Sequence, residues 1–316
     1  TVLSRGLGDV YKRQDSGRMH GPLYNQAKTS WGDLDKKVQE SLEKVKESQK
    51  EVYVVTGTIH SPTLKNVIQG FLAGFPNAKH VTYDAVSASA LVESQQKAFG
   101  KRAVPHYSFD KADLIVSLGA DFLGTWLSPV EYAKQFSKGR KKLDKKQMSQ
   151  LVQFETGMSL TGANADIRVP VKPSEMGLVA VKLLEALQGQ ARGVEFNNKR
   201  AIEQVQKTAQ RLLKHQGRSL VVSDSNDVAT QMVVTQINQL LGNYGKTLTV
   251  VRGSLQKLGL DAEMHDFVKS MNQGKVGAVL FYQCNPAYDY ADKKSFVSGL
   301  KKVEFSASLD LSLIHI

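Results

Sequence analysis

Apolar positions along the chain follow two alternating rhythms. Trp31, Leu34, Val38, Leu42 and Val45 recur at spacings of three and four, the stripe of an amphipathic helix. The run Val52–Val55 then reads as a buried strand closed by Thr56-Gly57, and Ser61-Pro62 supplies an N-cap and a first-turn proline. Leu64, Val67, Ile68, Phe71 and Leu72 form the next helical face, ending near Gly74. The alternation continues with strands predicted at His80–Tyr83, Leu114–Leu118 and Gln150–Phe154. Helices are predicted over Ser87–Phe99, Pro129–Phe136 and Glu175–Leu187.

A polar stretch, Gln188–Asn198, reads as a linker, after which a helix over Ile202–Leu213 restarts the pattern. Strands at Ser219–Val222, Leu248–Val251, Ala278–Tyr282 and Val303–Ser306 alternate with helices at Val228–Leu241, Ala262–Met271 and Lys293–Lys301. Strand and helix in regular alternation imply an α/β fold with parallel sheets covered on both faces. Two Rossmann-like layers fit best, with a first domain over 15–190 and a second over 191–310. A weak internal symmetry agrees: Val54-Val55-Thr56-Gly57 opens one half and Val221-Val222-Ser223-Asp224 the other. In open α/β sheets ligands sit beyond the carboxyl ends of strands. The candidate pocket edges are therefore the loops Thr56–Ser61, Asp84–Ser87, Gly119–Gly124, Ser223–Asn226 and Gln283–Tyr288.

Composition narrows the function classes. With 316 residues the chain can bury a large core, and no apolar run approaches the ~20 residues of a membrane helix. The single cysteine, Cys284, cannot by itself build a disulfide, a thiolate zinc site or an iron–sulfur cluster. The net charge of +12 suits acidic partners, and Lys138, Arg140, Lys141, Lys142, Lys145 and Lys146 form a tight cluster. That cluster reads first as a solvated loop and helix end and second as a docking patch. No aromatic residues interleave with it, which argues against a single-stranded nucleic-acid platform.

Both ends read as foreign to the protein. Leu311–Ile316 can be encoded by DNA whose reverse complement translates as Asp9–Gln14, a relationship expected of a sequencing adapter. Residues 1–14 and 311–316 are therefore expected to be adapter-derived, with native sequence running from Asp15 to Asp310 and both native termini lying outside it.

Known catalytic fingerprints are missing. No G-x-G-x-x-G follows a strand, and P-loop, H-E-x-x-H and G-x-S-x-G motifs are absent. His60 beside Ser61 is a poor nucleophile and base pair, since Ser61 suits capping. Asp84, Ser87 and Ser89 suit capping first and anion binding second. Asp121 follows a buried strand at a favoured ligand position and reads equally as a turn residue. Cys284 reads as a small buried thiol ahead of a soft metal ligand.

Longer blocks carry a resemblance. Arg18-Met19-His20-Gly21-Pro22-Leu23 with Thr29-Ser30-Trp31, Leu118-Gly119-Ala120-Asp121, Thr161-Gly162-Ala163-Asn164-Ala165-Asp166 and Cys284-Asn285-Pro286 resemble segments of the molybdopterin oxidoreductases. Tyr83–Ala90 and Ala120–Pro129 resemble, more specifically, the large iron–sulfur subunit of alternative complex III, a bacterial quinol-oxidising respiratory complex. The resemblance implies two α/β layers of the molybdopterin oxidoreductase type and no catalytic or metal-binding residues in this stretch. It implies a relic pocket around Thr56, Gly57, Asp84, Ser87, Gly119, Asp121 and Glu155 that holds no cofactor. Iron–sulfur clusters are expected in a C-terminal part beyond this chain, and a cytochrome and quinol-binding membrane subunits as partners. The location implied is the periplasmic face of the inner membrane. Two departures agree with cofactor loss: Glu155-Thr156-Gly157 stands where molybdenum relatives have Asp-Pro-Arg, and Asp121 stands where they have Asn. The alternatives are an active molybdopterin-dependent oxidoreductase and an unrelated small-molecule-binding α/β protein.

Overall fold

A computed structural model describes residues 21–309 apart from 26, 142–147, 192 and 194. The adapter-like ends, Arg18–His20, and Lys142, Lys145 and Lys146 of the basic cluster lie outside the described residues.

The chain opens with a short antiparallel pair, β1 (Leu23–Tyr24) and β2 (Ala27–Lys28). Helix α1 (Trp31–Ser48) begins at Ser30, whose hydroxyl accepts from the Asp33 N–H at 3.1 Å. Its apolar stripe is shallow: Val45 is fully buried, but Trp31 is 68% exposed and stays out of the core. Next come β3 (Glu51–Thr56), α2 (Pro62–Leu72) and β4 (Ala78–Thr82).

From residue 86 the chain builds a second compact unit, up to residue 260. Its elements are α3 (Ser89–Phe99), β5 (Val104–Tyr107), β6 (Leu114–Leu118), α4 (Pro129–Arg140), β7 (Gln150–Glu155) and the one-turn helix α5 (Leu160–Ala163). They continue with β8 (Ile167–Pro170), α6 (Met176–Gln188), α7 (Lys199–Lys214), β9 (Ser219–Ser223), α8 (Val228–Leu240) and β10 (Leu248–Ser254). The chain then completes the first unit with α9 (Asp261–Asn272), β11 (Val276–Tyr282), α10 (Pro286–Asp289), α11 (Lys293–Leu300) and β12 (Phe305–Ser308).

Each unit is organised around a four-stranded parallel sheet, in the orders β12-β11-β3-β4 and β8-β7-β6-β9. The α/β class expected from the alternation is therefore what the chain adopts. The division at 190/191 is not. β3 pairs with β11 and β6 pairs with β9, so each sheet joins strands from both halves of the sequence. Periodicity locates strands but carries no information on their partners, and the apparent half-and-half symmetry misled. A second correction concerns Leu248–Val251, expected in a parallel layer. β10 instead pairs antiparallel with β5, a strand the pattern did not reveal because Pro105 interrupts it.

The sheet of the second unit is buried on both faces, which explains its unbroken apolar strands. Leu114, Val116 and Leu118 of β6 face a core with Val179, Leu183, Leu184 and Leu212 of the covering helices. Ile115 faces the other way, onto a cluster with Phe109, Phe122, Tyr132 and Phe136. Phe109 and Phe122 stack at 4.3 Å between ring centroids, and truncating either to alanine removes about 3–5 kcal/mol.

β9 is the edge of that sheet, and side chains close it. The carbonyls of Ser219, Val221 and Ser223 accept from Thr247 Oγ1 (2.6 Å), Asn238 Nδ2 (2.7 Å) and Gln231 Nε2 (3.0 Å). Asn238 Oδ1 also accepts from the Val221 N–H at 3.1 Å. Residues two apart on a strand point the same way along the hydrogen-bonding direction, so three side chains serve where a fifth strand would pair.

Candidate functional site

In the second unit β7 and β8 lie to one side of β6 and β9 to the other, so the strand order reverses between β6 and β9. At such a switch point the loops diverge and leave a crevice at the strand ends. The loop after β6 carries Gly119 and Asp121, and the loop after β9 carries Asp224.

Gly119 has a φ of +80°, a conformation that favours glycine, and a Cβ there would overlap the Asp224 carboxylate. Asp224 anchors its own N–H to the Leu118 carbonyl at 3.3 Å. Although the residue exposes surface overall, its carboxyl is packed over the Gly119 backbone. Desolvation pushes its pKa above the usual aspartate range; its own backbone N–H opposes the shift, and the nearby charge of Asp121 adds to it.

Asp121 opens a tight turn, its carbonyl accepting from the N–H groups of Gly124, Thr125 and Trp126. Its Oδ1 accepts from both the N–H and the hydroxyl of Thr161, at 2.9 and 2.8 Å. Thr161 Oγ1 in turn accepts from the Leu123 N–H at 2.9 Å. A Cβ at Gly124 would collide with Asp121 Oδ2, so that glycine makes room for the carboxylate.

Glu155, at the end of β7, is 3% exposed and held on several sides. Arg168 Nε donates to it at 2.5 Å, Ser159 Oγ at 2.6 Å and Gln153 Nε2 at 3.3 Å. Gly162 leaves the space its carboxylate fills. Gln153 Oε1 is buried and has no hydrogen-bond partner among the described residues.

Two hollows flank these loops. One, of about 230 Å³, is lined by Ser87, Leu91, Asp121, Trp126, Asp224, Gln231 and Lys257, among others. The other, of about 330 Å³, is lined by Gly119, Glu155, Thr156, Gly157, Ser159, Met176 and Asp224, among others. An equally large hollow beside α6 and α7 holds Lys182 and Glu185, already paired with each other at 2.8 Å.

Several backbone donors around the crevice are committed. The N–H of Ser225 goes to Ser223 Oγ, that of Asp227 to Ser225 Oγ, and that of Thr230 to Asp227 Oδ2. The N–H of Ser89 goes to Ser87 Oγ and that of Ala90 to Asn226 Oδ1. A dinucleotide pyrophosphate needs free N–H groups and positive charge. Here it would meet the carboxylates of Asp121 and Asp224 and, at Ser225, Asp227, Thr230, Ser89 and Ala90, donors already taken, which is a poor fit for a molybdopterin dinucleotide.

The seven residues expected to form one relic pocket divide between the two units. Ser87 and Asp121 share the smaller hollow, and Gly119 and Glu155 share the larger. Thr56, Gly57 and Asp84 belong to the first unit. Thr56 is buried, with Oγ1 2.9 Å from His80 Nε2 and 2.7 Å from the Gly57 carbonyl. A Cβ on Gly57 would lie 3.1 Å from the Gln283 carbonyl. Asp84 accepts from the N–H and the hydroxyl of Thr58, at 3.1 and 2.7 Å. Ser61 caps α2 by accepting from the Leu64 N–H at 3.3 Å, the role its position before Pro62 suits. Cys284 is buried, with Sγ 3.4 Å from the Val55 carbonyl, and no group of three or more potential metal ligands occurs among the described residues.

Sequence reasoning passed over Asp224, Gln231, Trp126 and Lys257. Asp224 lay inside a loop marked as a pocket edge, and only the chain reversal at β9 shows that it faces Asp121. Gln231 reads as an ordinary helical polar residue, and nothing in its neighbours signals that it reaches back to a strand end.

No protein-family model and no curated protein matches the sequence. Solved structures do match in fold. One is acetylene hydratase from Pelobacter acetylenicus, with a TM-score of 0.67 at 10% identity over 95% of this chain. Another is a formyltransferase/hydrolase complex from Methylorubrum extorquens, in complex with methylofuran, with a TM-score of 0.52 at 13% identity, covering 79% of this chain and 76% of that one. The chain spans about half, 54%, of the acetylene hydratase chain, and at these identities the likeness establishes a shared α/β fold and no more.

Proposed function

We propose that this chain is a cofactor-free structural part of a respiratory quinol-oxidising complex, as the resemblance to the large iron–sulfur subunit of alternative complex III implies. The observation that carries the cofactor-free element is the crevice between β6 and β9. Several of its backbone donors are taken by the protein's own side chains, and the carboxylates of Asp121 and Asp224 line it. The fold likeness to acetylene hydratase agrees with the α/β fold that the resemblance implies. On this reading membrane attachment comes through partner subunits; no helix among the described residues is long and apolar enough to cross a membrane. The basic surface that includes Lys138 and Lys141 is its docking face for an acidic neighbour.

The same α/β fold and sequence resemblance are equally compatible with a second reading, an active molybdopterin-dependent oxidoreductase. Purification from a host that makes the cofactor, followed by molybdenum analysis and pterin fluorescence after oxidation, separates the two. Neither is expected above background, and stoichiometric pterin would establish the enzyme instead. Docking is tested by charge reversal at Lys138 and Lys141 in the assembled complex. Loss of co-purifying subunits is expected, and unchanged assembly discards the role of that surface.

A further inference from the structure

The smaller hollow holds unsatisfied acceptors. Asp121 Oδ1 is saturated by Thr161, but Oδ2 receives no hydrogen bond among the described residues. Asp224 has only its own backbone N–H. Gln231, 2% exposed, spends its amide nitrogen on the carbonyls of Ser223 and Ser225, at 3.0 and 2.7 Å. Its Oε1 receives no hydrogen bond among the described residues, and Gln231 lines the hollow. The charges of Asp121 and Asp224 disfavour each other, and a cation beside both carboxylates would relieve that repulsion.

Lys257 is the basic residue of the wall and forms no ion pair with either aspartate among the described residues. The remaining wall includes the apolar surfaces of Leu91, Trp126 and Leu127. We infer that this hollow binds a small primary amine in its protonated form. The ammonium donates its three N–H groups to Asp121 Oδ2, the Asp224 carboxylate and Gln231 Oε1, and its short alkyl body lies against Trp126. An ammonium matches this need because it carries three donors and no acceptor. Trp126 adds a π face that attracts cations. At about 230 Å³ the cavity is below the ~300–1,000 Å³ of pockets for drug-sized ligands, so the amine is small. The site is independent of the respiratory assignment, since either a relic or a working protein would present the same acceptors.

The test uses the full chain carrying Trp31→Phe, which leaves Trp126 as the sole tryptophan. n-Butylammonium is titrated by calorimetry and by Trp126 fluorescence, with butyrate and 1-butanol as controls. Saturable one-to-one binding of n-butylammonium alone is expected. It should weaken about tenfold or more in Asp224→Asn, which keeps the side-chain shape. Lys257→Gln, which removes the competing cation, should tighten it. No saturation, equal binding of butyrate, undiminished binding in a folded Asp224→Asn protein, or weaker binding in Lys257→Gln would overturn the proposal.

Discussion

The Asp224 carboxylate occupies the space that a side chain on Gly119 would need, so the two strand ends at the switch point interlock through one missing Cβ. Gly119 also holds a φ of +80°. A residue with a side chain there faces both backbone strain and a collision.

That arrangement gives Asp224 a pH signature. Desolvation first, and the charge of Asp121 as an additional cause, raise its pKa in the folded protein, while its own N–H works against them. The folded state therefore holds the Asp224 proton more tightly than an unfolded chain does. The stability it contributes is complete below the unfolded aspartate pKa of about 3.9 and is lost as pH rises through the folded value. Asp224→Asn, uncharged at every pH, should melt at a higher temperature than the parent at neutral pH. The difference should close on acidification below about pH 4. A melting series from pH 3 to pH 8 checks this, and a gap that widens on acidification contradicts it.

Glu155 is 4% exposed at its side chain and depends on Arg168. Arg168→Met leaves a buried carboxylate without its cation and should cost about 3–5 kcal/mol in urea unfolding. Pairing it with Glu155→Leu should restore much of the loss, because two apolar residues need no compensation. If the single variant unfolds like the parent, the pair does not stabilise this sheet end.

Asn238 offers a third test. Its amide serves both backbone groups of Val221, and its Oδ1 also accepts from Asn243 Nδ2 at 2.9 Å. Asn238→Leu keeps the volume and removes every partner, so about 1–3 kcal/mol per orphaned buried group is expected to be lost. The opened edge of β9 should also make the protein self-associate as concentration rises. Light scattering alongside urea titration measures both, and a monodisperse variant of parental stability removes Asn238 from this role.

Much of the secondary structure was legible in the chain, because burial imposes a period on apolar residues. The run Leu114–Leu118 reads as a strand buried on both faces, and the Ser61-Pro62 start of α2 reads from its cap. Ends slid by a residue or two: β12 begins at Phe305 where Val303 was expected, and β7 extends to Glu155. β5 stayed hidden behind Pro105, and β8 is too short to show a period.

The sequence by itself determined the alternation of strand and helix, the loops at the strand ends, and Gly119 and Asp121 as residues of interest, all of which follow from local spacing. Only the tertiary structure decided that β3 seeks β11 and β6 seeks β9, and that Asp224 and Gln231 meet Asp121 around one hollow. Periodicity shows that a strand is buried, but its partners are chosen by how helices cover the sheet. Asp121 and Asp224 are 103 residues apart in the chain, and no local pattern can report a repulsion that arises only when two strand ends are brought side by side.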